Sequence, residues 1–179
     1  MLKIICITGV LLAVATHHVA SAAQPASYAG QERREIKALS PEEIQDYLAG
    51  KGMGLAKAAE LNRYPGPAHV LELAEKLQLD AEQRIRSEAI FKTMQAAAMR
   101  HGKALVEKER ELDRLFAGGG ITHEDLRAAL EEIGRLQAEV RRAHLQAHIE
   151  QRKILTPKQI VQYEELRGYT SHAGRAHQH

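Results

Sequence analysis

The chain has 179 residues, with 25 Lys and Arg against 23 Asp and Glu, so its charge is almost balanced. This balance, the absence of Trp and the presence of only two Phe and five Tyr argue against nucleic-acid binding, which needs a basic surface and stacking side chains. The length suits one domain, and the abundance of Ala, Leu, Glu, Arg, Lys and Gln predicts an all-α protein.

The first 22 residues have the features of a secretory signal peptide. Lys3 gives a positive start, residues 4–16 form an apolar run too short to span a bilayer comfortably, and Ala20-Ser21-Ala22 is a small-residue cleavage pattern. We expect cleavage near Ala22, with a retained membrane anchor as the alternative. The single cysteine, Cys6, lies inside this segment, so disulfides and thiol chemistry are excluded from the mature protein. Export combined with the absence of disulfides favours a location in the periplasm. Stable insertion into a membrane is not expected.

The segment after the signal peptide begins without a regular pattern. Residues 23–38 have no hydrophobic periodicity and are predicted to be a flexible leader to a single helical domain at 39–169. Ser40 and Glu43 form a capping-box pattern, which predicts a short helix that ends at about Leu48.

Two interruptions follow that first helix. The glycines of residues 50–54 predict a hinge between helices. A phosphate loop is the disfavoured alternative, because no strand precedes the glycines and no Lys-Ser or Lys-Thr pair follows them. A second short helix is expected through Leu61. The YPGP sequence at 64–67 is the strongest helix breaker in the chain, and a further helix is predicted at 68–77.

Two long helical patterns form the body of the chain, residues 80–154. The first contains no proline from residue 80 to 117, and three glycines at 118–120 separate it from the second. The spacing predicts an antiparallel hairpin, whose remaining apolar surface is covered by the short helices or by a second copy in a homodimer. The apolar rows are Phe91, Ala98, Leu105 and Leu112 in the first helix and Leu126, Ala129, Ile133, Leu136, Val140, Ala143, Ala147, Glu150 and Ile154 in the second.

A helix-entry pattern occurs at both ends of this hairpin. Asp80 and Thr156 are good N-caps, and a glutamine three residues later completes a capping box in each case. The last helix is predicted from Pro157 to about Arg167, and the His-rich tail at 170–179 is expected to be disordered. We interpret these motifs as structural joints, built from Leu79, Asp80, Gln83, Leu155, Thr156 and Gln159.

Histidines offer the main opportunities for metal binding. His144 and His148 lie one helical turn apart, a spacing at which two imidazoles can share a metal, although a solvated or partly packed pair is the favoured interpretation. The tail residues His172, His177 and His179 suit loose binding of zinc or another transition metal, with a solubilising tail as the alternative.

Met94, Met99 and His101 have the soft ligand types that suit a copper site. Methionine at helical spacing more often fills gaps in a core, and we interpret these residues in that way. No cofactor is required by any pattern in the chain.

Enzymatic activity is not expected. The sequence has no nucleophile elbow and no HExxH motif, and its carboxylate pairs have the spacing of ordinary ion pairs on exposed helices. Ser40 is a helix cap, and Ser87 lies within a long helix that offers no strained turn to expose a nucleophile.

The pentapeptides LDAEQ at 79–83 and LTPKQ at 155–159, placed around two long helices behind a signal peptide, resemble the Spy/CpxP family of periplasmic stress proteins, which carry paired LTxxQ motifs. The resemblance covers about residues 67–169, and Asp80 replaces the threonine of the first motif. It implies a cradle-shaped homodimer of long bent hairpins that binds unfolding envelope proteins without ATP. Relatives include zinc-resistance proteins and nickel/cobalt sensors.

The metal-sensor branch of that family differs from this chain at its ligands. That branch has a His-x3-His pair before its first motif, but here His69 is followed at the fourth position by Leu73. Its hairpin ligands precede the second motif, where this chain has Ala147 and Gln151, next to His148. The sensor's ligand set is therefore not carried over.

A client-binding surface of the implied kind needs apolar side chains flanked by charge. Several residues that fall off the predicted seam of the second long helix suit that role: Leu130, Leu145 and Ile149, with Arg135 and Arg142.

The expected function is that of an exported envelope-stress protein, an ATP-independent chaperone for unfolded or misfolded envelope proteins. Periplasmic binding, resistance or sensing of a heavy metal such as zinc, nickel or copper is the alternative. A third interpretation is a docking protein that restrains a membrane sensor kinase.

Overall fold

A computed structural model describes residues 27–169, and within that range the protein contains helices and turns but no strand. The chain divides into two compact units, residues 1–30 and 31–179, and only a turn at 27–30 is described in the first. The predicted signal peptide at 1–22 and the tail at 170–179 lie outside the described residues. The all-α prediction is confirmed.

Two long helices and four short ones make up the second unit, after a 3-10 turn at Gln31–Arg33. The long helices form the predicted hairpin, with α1 and α3 packed against α4, and α2 and α3 packed against α5. None of the helices in the described range combines the length and the apolar character that crossing a bilayer requires. The helices are α1 (Pro41–Leu48), α2 (Lys57–Glu60), α3 (Pro67–Glu72), α4 (Ala81–Ala117), α5 (His123–Ile154) and α6 (Pro157–Leu166).

Capping boxes start both long helices and α6, as the sequence predicts at both motif joints. At the start of α4, the Gln83 amide donates to Asp80 Oδ1 over 2.7 Å, and the Asp80 amide donates to Gln83 Oε1 over 3.2 Å. Thr122 and Thr156 cap α5 and α6 in the same way. These bonds satisfy backbone N–H groups that a helix start would otherwise leave unpaired.

The seam between α4 and α5 is held by two anchors that fix its register. Near the open end of the hairpin, Gln151 Nε2 donates to Ser87 Oγ over 2.9 Å, and both residues are fully buried. Farther along, Leu105 and Ile133 pack in one buried cluster. The two helices are therefore antiparallel neighbours over this whole length.

One seam position differs from the prediction. Glu150 was assigned to the apolar row of α5, but it is exposed, and the next residue, Gln151, is fully buried. His144 and His148 are buried as well, at 5% and 8% exposure. The reason is that α5 packs against α2 and α3 in addition to α4, so its buried face is wider than the single stripe that heptad counting gives.

The segment before α1 also differs from the prediction of a flexible leader at 23–38. Ile36 is completely buried and packs in a cluster with Val106 of α4. Lys37 Nζ lies 3.1 Å from Asp113 Oδ2, and the Lys37 amide donates to Asp113 Oδ1. Residues 31–38 therefore belong to the packed unit. Hydrophobic periodicity could not reveal this, because the packing depends on a single apolar side chain, that of Ile36.

Helix α3 is shorter than predicted, because it ends at Glu72 and the chain continues as turns to residue 78. Gln78 has a φ of 52°, a left-handed conformation that ends such a turn. Leu77 is nonetheless buried, in a cluster that joins this turn to the start of α6; the other members are Val70, Leu155, Ile160 and Tyr163.

The glutamines of the two motifs are bonded to each other. Gln83 Nε2 donates to Gln159 Oε1, and Gln159 Nε2 donates to Gln83 Oε1, each over 2.9 Å. Gln83 Nε2 also donates to the carbonyl oxygen of Ile154, and Gln159 Nε2 to that of Leu77. The two helix-entry joints are thus one hydrogen-bonded assembly at the open end of the hairpin.

Gly102 is the point of closest approach between α1 and α4. A Cβ built on Gly102 would clash with the carbonyl oxygen of Tyr47, whereas a Cβ on Gly134 in α5 would meet nothing within 4 Å. We expect Gly102→Ala to lower the free energy of unfolding by about 1 kcal/mol, since an overpacking cost of about 2 kcal/mol exceeds the gain in helix propensity. The matched control, Gly134→Ala, is expected to raise it by about 0.8 kcal/mol. Urea unfolding measures both; a stabilising Gly102→Ala would contradict the close packing of α1.

Candidate metal and ligand cavity

A cavity of about 780 Å³ lies between the short helices and the hairpin. The glycine-rich segment at 50–54, α2 and the start of α3 form one side of the cavity, and α4 and α5 form the other. Arg167 and Tyr169 line it from the end of α6. Mostly apolar walls with a few convergent polar groups are typical of ligand sites. The hairpin contributes Phe91, Met94, Gln95, His144, Ala147 and His148.

His144 lines this cavity with one ring nitrogen unsatisfied. Its side chain is 5% exposed, and its Nε2 atom is buried without a hydrogen-bond partner. Burial lowers the pKa of His144, and the charge of His148 lowers it further, while a hydrogen bond with the backbone of Lys51 acts in the opposite direction. The ring is therefore held in its neutral form, in which one nitrogen keeps a free lone pair.

His148 is oriented by the loop that precedes α3. Its Nδ1 lies 2.7 Å from the carbonyl oxygen of Tyr64, and because a carbonyl can only accept, Nδ1 carries the hydrogen. When the ring is neutral, Nε2 is then the basic nitrogen, the arrangement usual for metal-ligating histidines. A Cβ on Gly66 would lie 2.9 Å from His148 Cε1, so glycine at 66 leaves room for the ring.

Glu60 of α2 joins the cavity to the end of α6. Its Oε1 accepts hydrogen bonds from the hydroxyls of Tyr163, over 2.6 Å, and Tyr169, over 2.9 Å. Its Oε2 accepts from the Gly66 amide over 3.2 Å, and Arg167 Nε lies 3.5 Å from Oε1. With its side chain only 11% exposed, Glu60 is a largely buried carboxylate, and both of its oxygens accept hydrogen bonds.

The surroundings of Glu60 keep the hydroxyl of Tyr163 protonated. Burial raises the pKa of Tyr163 well above its usual range, and the hydrogen bond to Glu60 adds to the effect. His69 Nδ1 lies 3.6 Å from Glu60 Oε1 and 3.4 Å from the Tyr163 hydroxyl, at the edge of the same network. This cluster therefore links α2, α3 and α6.

The residues present allow a metal ion but do not form a complete conventional site. Within residues 27–169, no group of three or more His, Cys, Asp and Glu side chains is close enough to hold a metal ion. His144 and His148 remain as a pair of imidazoles, one with an orphaned buried nitrogen, and this is donor chemistry that transition metals prefer. Both histidines are buried, so the pair is neither solvated nor only partly packed, which differs from the favoured interpretation. The tail histidines His172, His177 and His179 lie outside the described residues.

The predicted client-binding residues do not form one patch. Leu130 and Ile149 are 50% and 45% exposed, but 19 residues of α5 separate them, about 28 Å along the helix. Leu145 is half-buried. Arg135 forms an ion pair with Glu132 at 2.7 Å, and Arg142 forms one with Glu139.

The three residues considered as a soft copper site are separated. Met94 is 9% exposed and lines the cavity, whereas Met99 is 43% exposed. His101 Nε2 instead lies 3.2 Å from the guanidinium of Arg100. The core role inferred for Met94 is confirmed.

Two contributors to the cavity escaped the sequence-based reasoning, Glu60 and the carbonyl of Tyr64. Both belong to residues 50–67, a segment that fitted no motif and contains the YPGP breaker. The only indication in the sequence was the YPGP helix breaker at 64–67, close to Glu60, an acidic residue with no role in any motif. Their hydrogen-bond partners in α5, in α6 and at Tyr169 lie 84 to 109 residues away along the chain.

The architecture defines a class: a helical-hairpin protein whose short N-terminal helices enclose a histidine-lined cavity against the hairpin. A family model described as heavy-metal resistance matches residues 54–162, which is more than half of the chain. The match includes the hairpin and, from the cavity, Glu60, His144 and His148. The chain therefore belongs to the heavy-metal resistance family, whose members share the Spy/CpxP-like helical fold. No curated protein and no solved structure matches the chain significantly.

The state of His144 predicts a loss of stability in mild acid. Because its pKa is lowered in the folded state, the unfolded chain gains a proton first as the pH falls through about 6.5, the usual value for histidine, so stability is present above that pH and lost below it. We expect His144→Gln to reduce the difference in unfolding free energy between pH 7.5 and pH 5.5. His123→Gln, at an exposed position on the same helix, is the control and should change that difference less.

Proposed function

We propose that the protein is an exported, non-enzymatic heavy-metal resistance protein that binds a transition-metal ion in the cavity between its short helices and its hairpin. The observation that carries this proposal is the buried, unpartnered Nε2 of His144 at a cavity that also holds His148. A buried polar atom without a partner is costly, so a native structure retains one where something occupies it. The matched family supports a metal as that occupant.

The two histidines would hold the ion, and the chain supplies the rest of the arrangement. The carbonyl of Tyr64 fixes the orientation of the His148 ring, and the burial of His144 keeps its nitrogen unprotonated at neutral pH. A bound ion would supply a positive charge that pairs with both lone pairs. Removing the ion from solution in the envelope is the resistance function that follows.

Calorimetric titration with zinc, nickel and copper tests this proposal. The wild-type protein and a variant with His172, His177 and His179 replaced by alanine are both expected to bind, because the cavity is intact in both. His144→Gln combined with His148→Gln should abolish that binding in the tail-substituted protein. Absence of binding heat at millimolar metal, or binding that is lost with the tail histidines alone, would overturn the proposal.

A second function, binding of unfolding envelope proteins without ATP, is favoured by the opposite side of the hairpin. A groove of about 430 Å³ there is lined only by residues of α4 and α5, among them Ile90, Ala97, Ala143 and Ala147. Nearby on α4, Ile85 is 67% exposed. Exposed apolar surface on a charged helical hairpin is suited to weak, unspecific contacts with unfolded chains.

Suppression of light scattering by a denatured client tests the chaperone function. We expect stoichiometric protein to reduce aggregation, and Ile85→Ser and Ile149→Ser to weaken this effect while Gln137→Ser, at an exposed polar position of α5, leaves it unchanged. Sedimentation of the same samples tests the homodimer proposed as the active form. If the wild-type protein does not reduce scattering, the chaperone function is wrong; binding to a sensor kinase would then be the remaining partner proposal.

A further inference from the structure

The register of the hairpin places a thioether opposite His144. Gln151 of α5 bonds Ser87 of α4, and seven residues farther along each antiparallel helix the facing positions are His144 and Met94. The same register, continued to the next anchor, brings Leu105 opposite Ile133, which do pack together. Met94 is 9% exposed and lines the same cavity as His144 and His148.

The largely buried carboxylate of this cavity is already hydrogen-bonded. Both oxygens of Glu60 already accept hydrogen bonds, from Tyr163 and Tyr169 on one side and from the Gly66 amide on the other. The other carboxylate that lines the cavity, Glu72, is on an exposed position of α3. Close to the orphaned nitrogen, the cavity offers the imidazole of His148 and the thioether of Met94, and both are soft or borderline ligands.

The apolar walls of the cavity favour a monovalent ion over a divalent one. The largely buried carboxylate of the cavity, Glu60, lies 3.7 Å from His148 Nδ1, but it is already paired with Arg167. Little negative charge is therefore left to compensate a divalent ion, and an uncompensated buried charge is expensive. Zinc also requires about four nitrogen, sulfur or oxygen ligands in a tetrahedral arrangement, and this part of the chain does not supply them. A monovalent soft ion needs fewer ligands and less compensation.

We propose that the ion bound in this cavity is copper(I), held by the imidazole of His144 and the thioether of Met94, with His148 as the third donor. This inference rests on the proposed metal-binding function and gives it a metal class. It also assigns Met94 a role beside its packing in the core.

Competition with a chromophoric copper(I) chelator measures the affinity. The protein used is the full chain with His172, His177 and His179 replaced by alanine, so that the tail cannot contribute. We expect one copper(I) ion per chain, bound at least a hundredfold more tightly than zinc. Met94→Leu, which conserves volume, should weaken copper(I) binding at least tenfold with the thermal unfolding midpoint of the metal-free protein unchanged within a few degrees. Met99→Leu, at an exposed position of the same helix, is the matched control and should change neither quantity.

X-ray absorption at the copper edge gives a second readout, since a copper–sulfur contribution should be present in the wild-type protein and absent in Met94→Leu. If Met94→Leu binds copper(I) as tightly as wild type, or if zinc binds more tightly than copper(I), this inference is overturned. The metal-binding function itself would survive that result, provided His144→Gln still abolishes binding. Absence of binding by the unmutated cavity would overturn both.

Discussion

Replacing Glu60 with alanine is expected to lower the free energy of unfolding by about 3 kcal/mol. The change removes a largely buried carboxylate that accepts hydrogen bonds from Tyr163, Tyr169 and the Gly66 amide. Hydrogen bonds to a charged acceptor contribute about 1.5–3 kcal/mol each at most, and buried donors left without partners add their desolvation cost. Urea unfolding at pH 7, followed by circular dichroism, measures the effect.

Two further variants distinguish the effect of the Glu60 hydrogen bonds from the effect of removing any carboxylate that lines the cavity. Glu60→Gln keeps an acceptor and should lose less stability than Glu60→Ala, while Glu72→Ala removes an exposed carboxylate of the same cavity and should change stability by under about 0.5 kcal/mol. A loss below about 1 kcal/mol in Glu60→Ala would show that the link between α2 and α6 contributes little to folding.

The second large effect is expected at Ile36, in the segment before α1. Ile36→Ala should lower the unfolding free energy by about 3 kcal/mol, because the side chain is completely buried against Val106 and its removal leaves a cavity. Leu61→Ala is the matched control, since Leu61 is 61% exposed and should lose under about 1 kcal/mol. Equal, small losses in the two variants would restore the flexible-leader interpretation.

The hairpin and its joints were predictable because the physical causes are local. Capping boxes depend on residues three apart, and the long helices follow from uninterrupted apolar periods, ended by glycines in α4 and by the second motif in α5. Asp80, Gln83, Thr156 and Gln159 therefore take the places that the sequence assigns to them.

The cavity was not predictable, because its contacts join distant parts of the chain. The hydrogen bond between His148 and Tyr64 crosses 84 residues, and that between Tyr163 and Glu60 crosses 103. The exchange of Glu150 for Gln151 on the buried face has the same origin, since only packing by α2 and α3 fixes the width of that face. Spacing showed that His144 and His148 share a helix face, but their burial required the fold.

The bonded pair of motif glutamines has a consequence for how the molecule opens. Gln83 completes the capping box of α4 and Gln159 completes that of α6, and the two side chains are also hydrogen-bonded to each other. Fraying of α6 therefore breaks bonds that hold the first turn of α4, and the reverse is equally true. We therefore expect the open end of the hairpin to unfold as a single cooperative unit, with its amide hydrogens exchanging through one shared opening rather than through independent fraying at two termini.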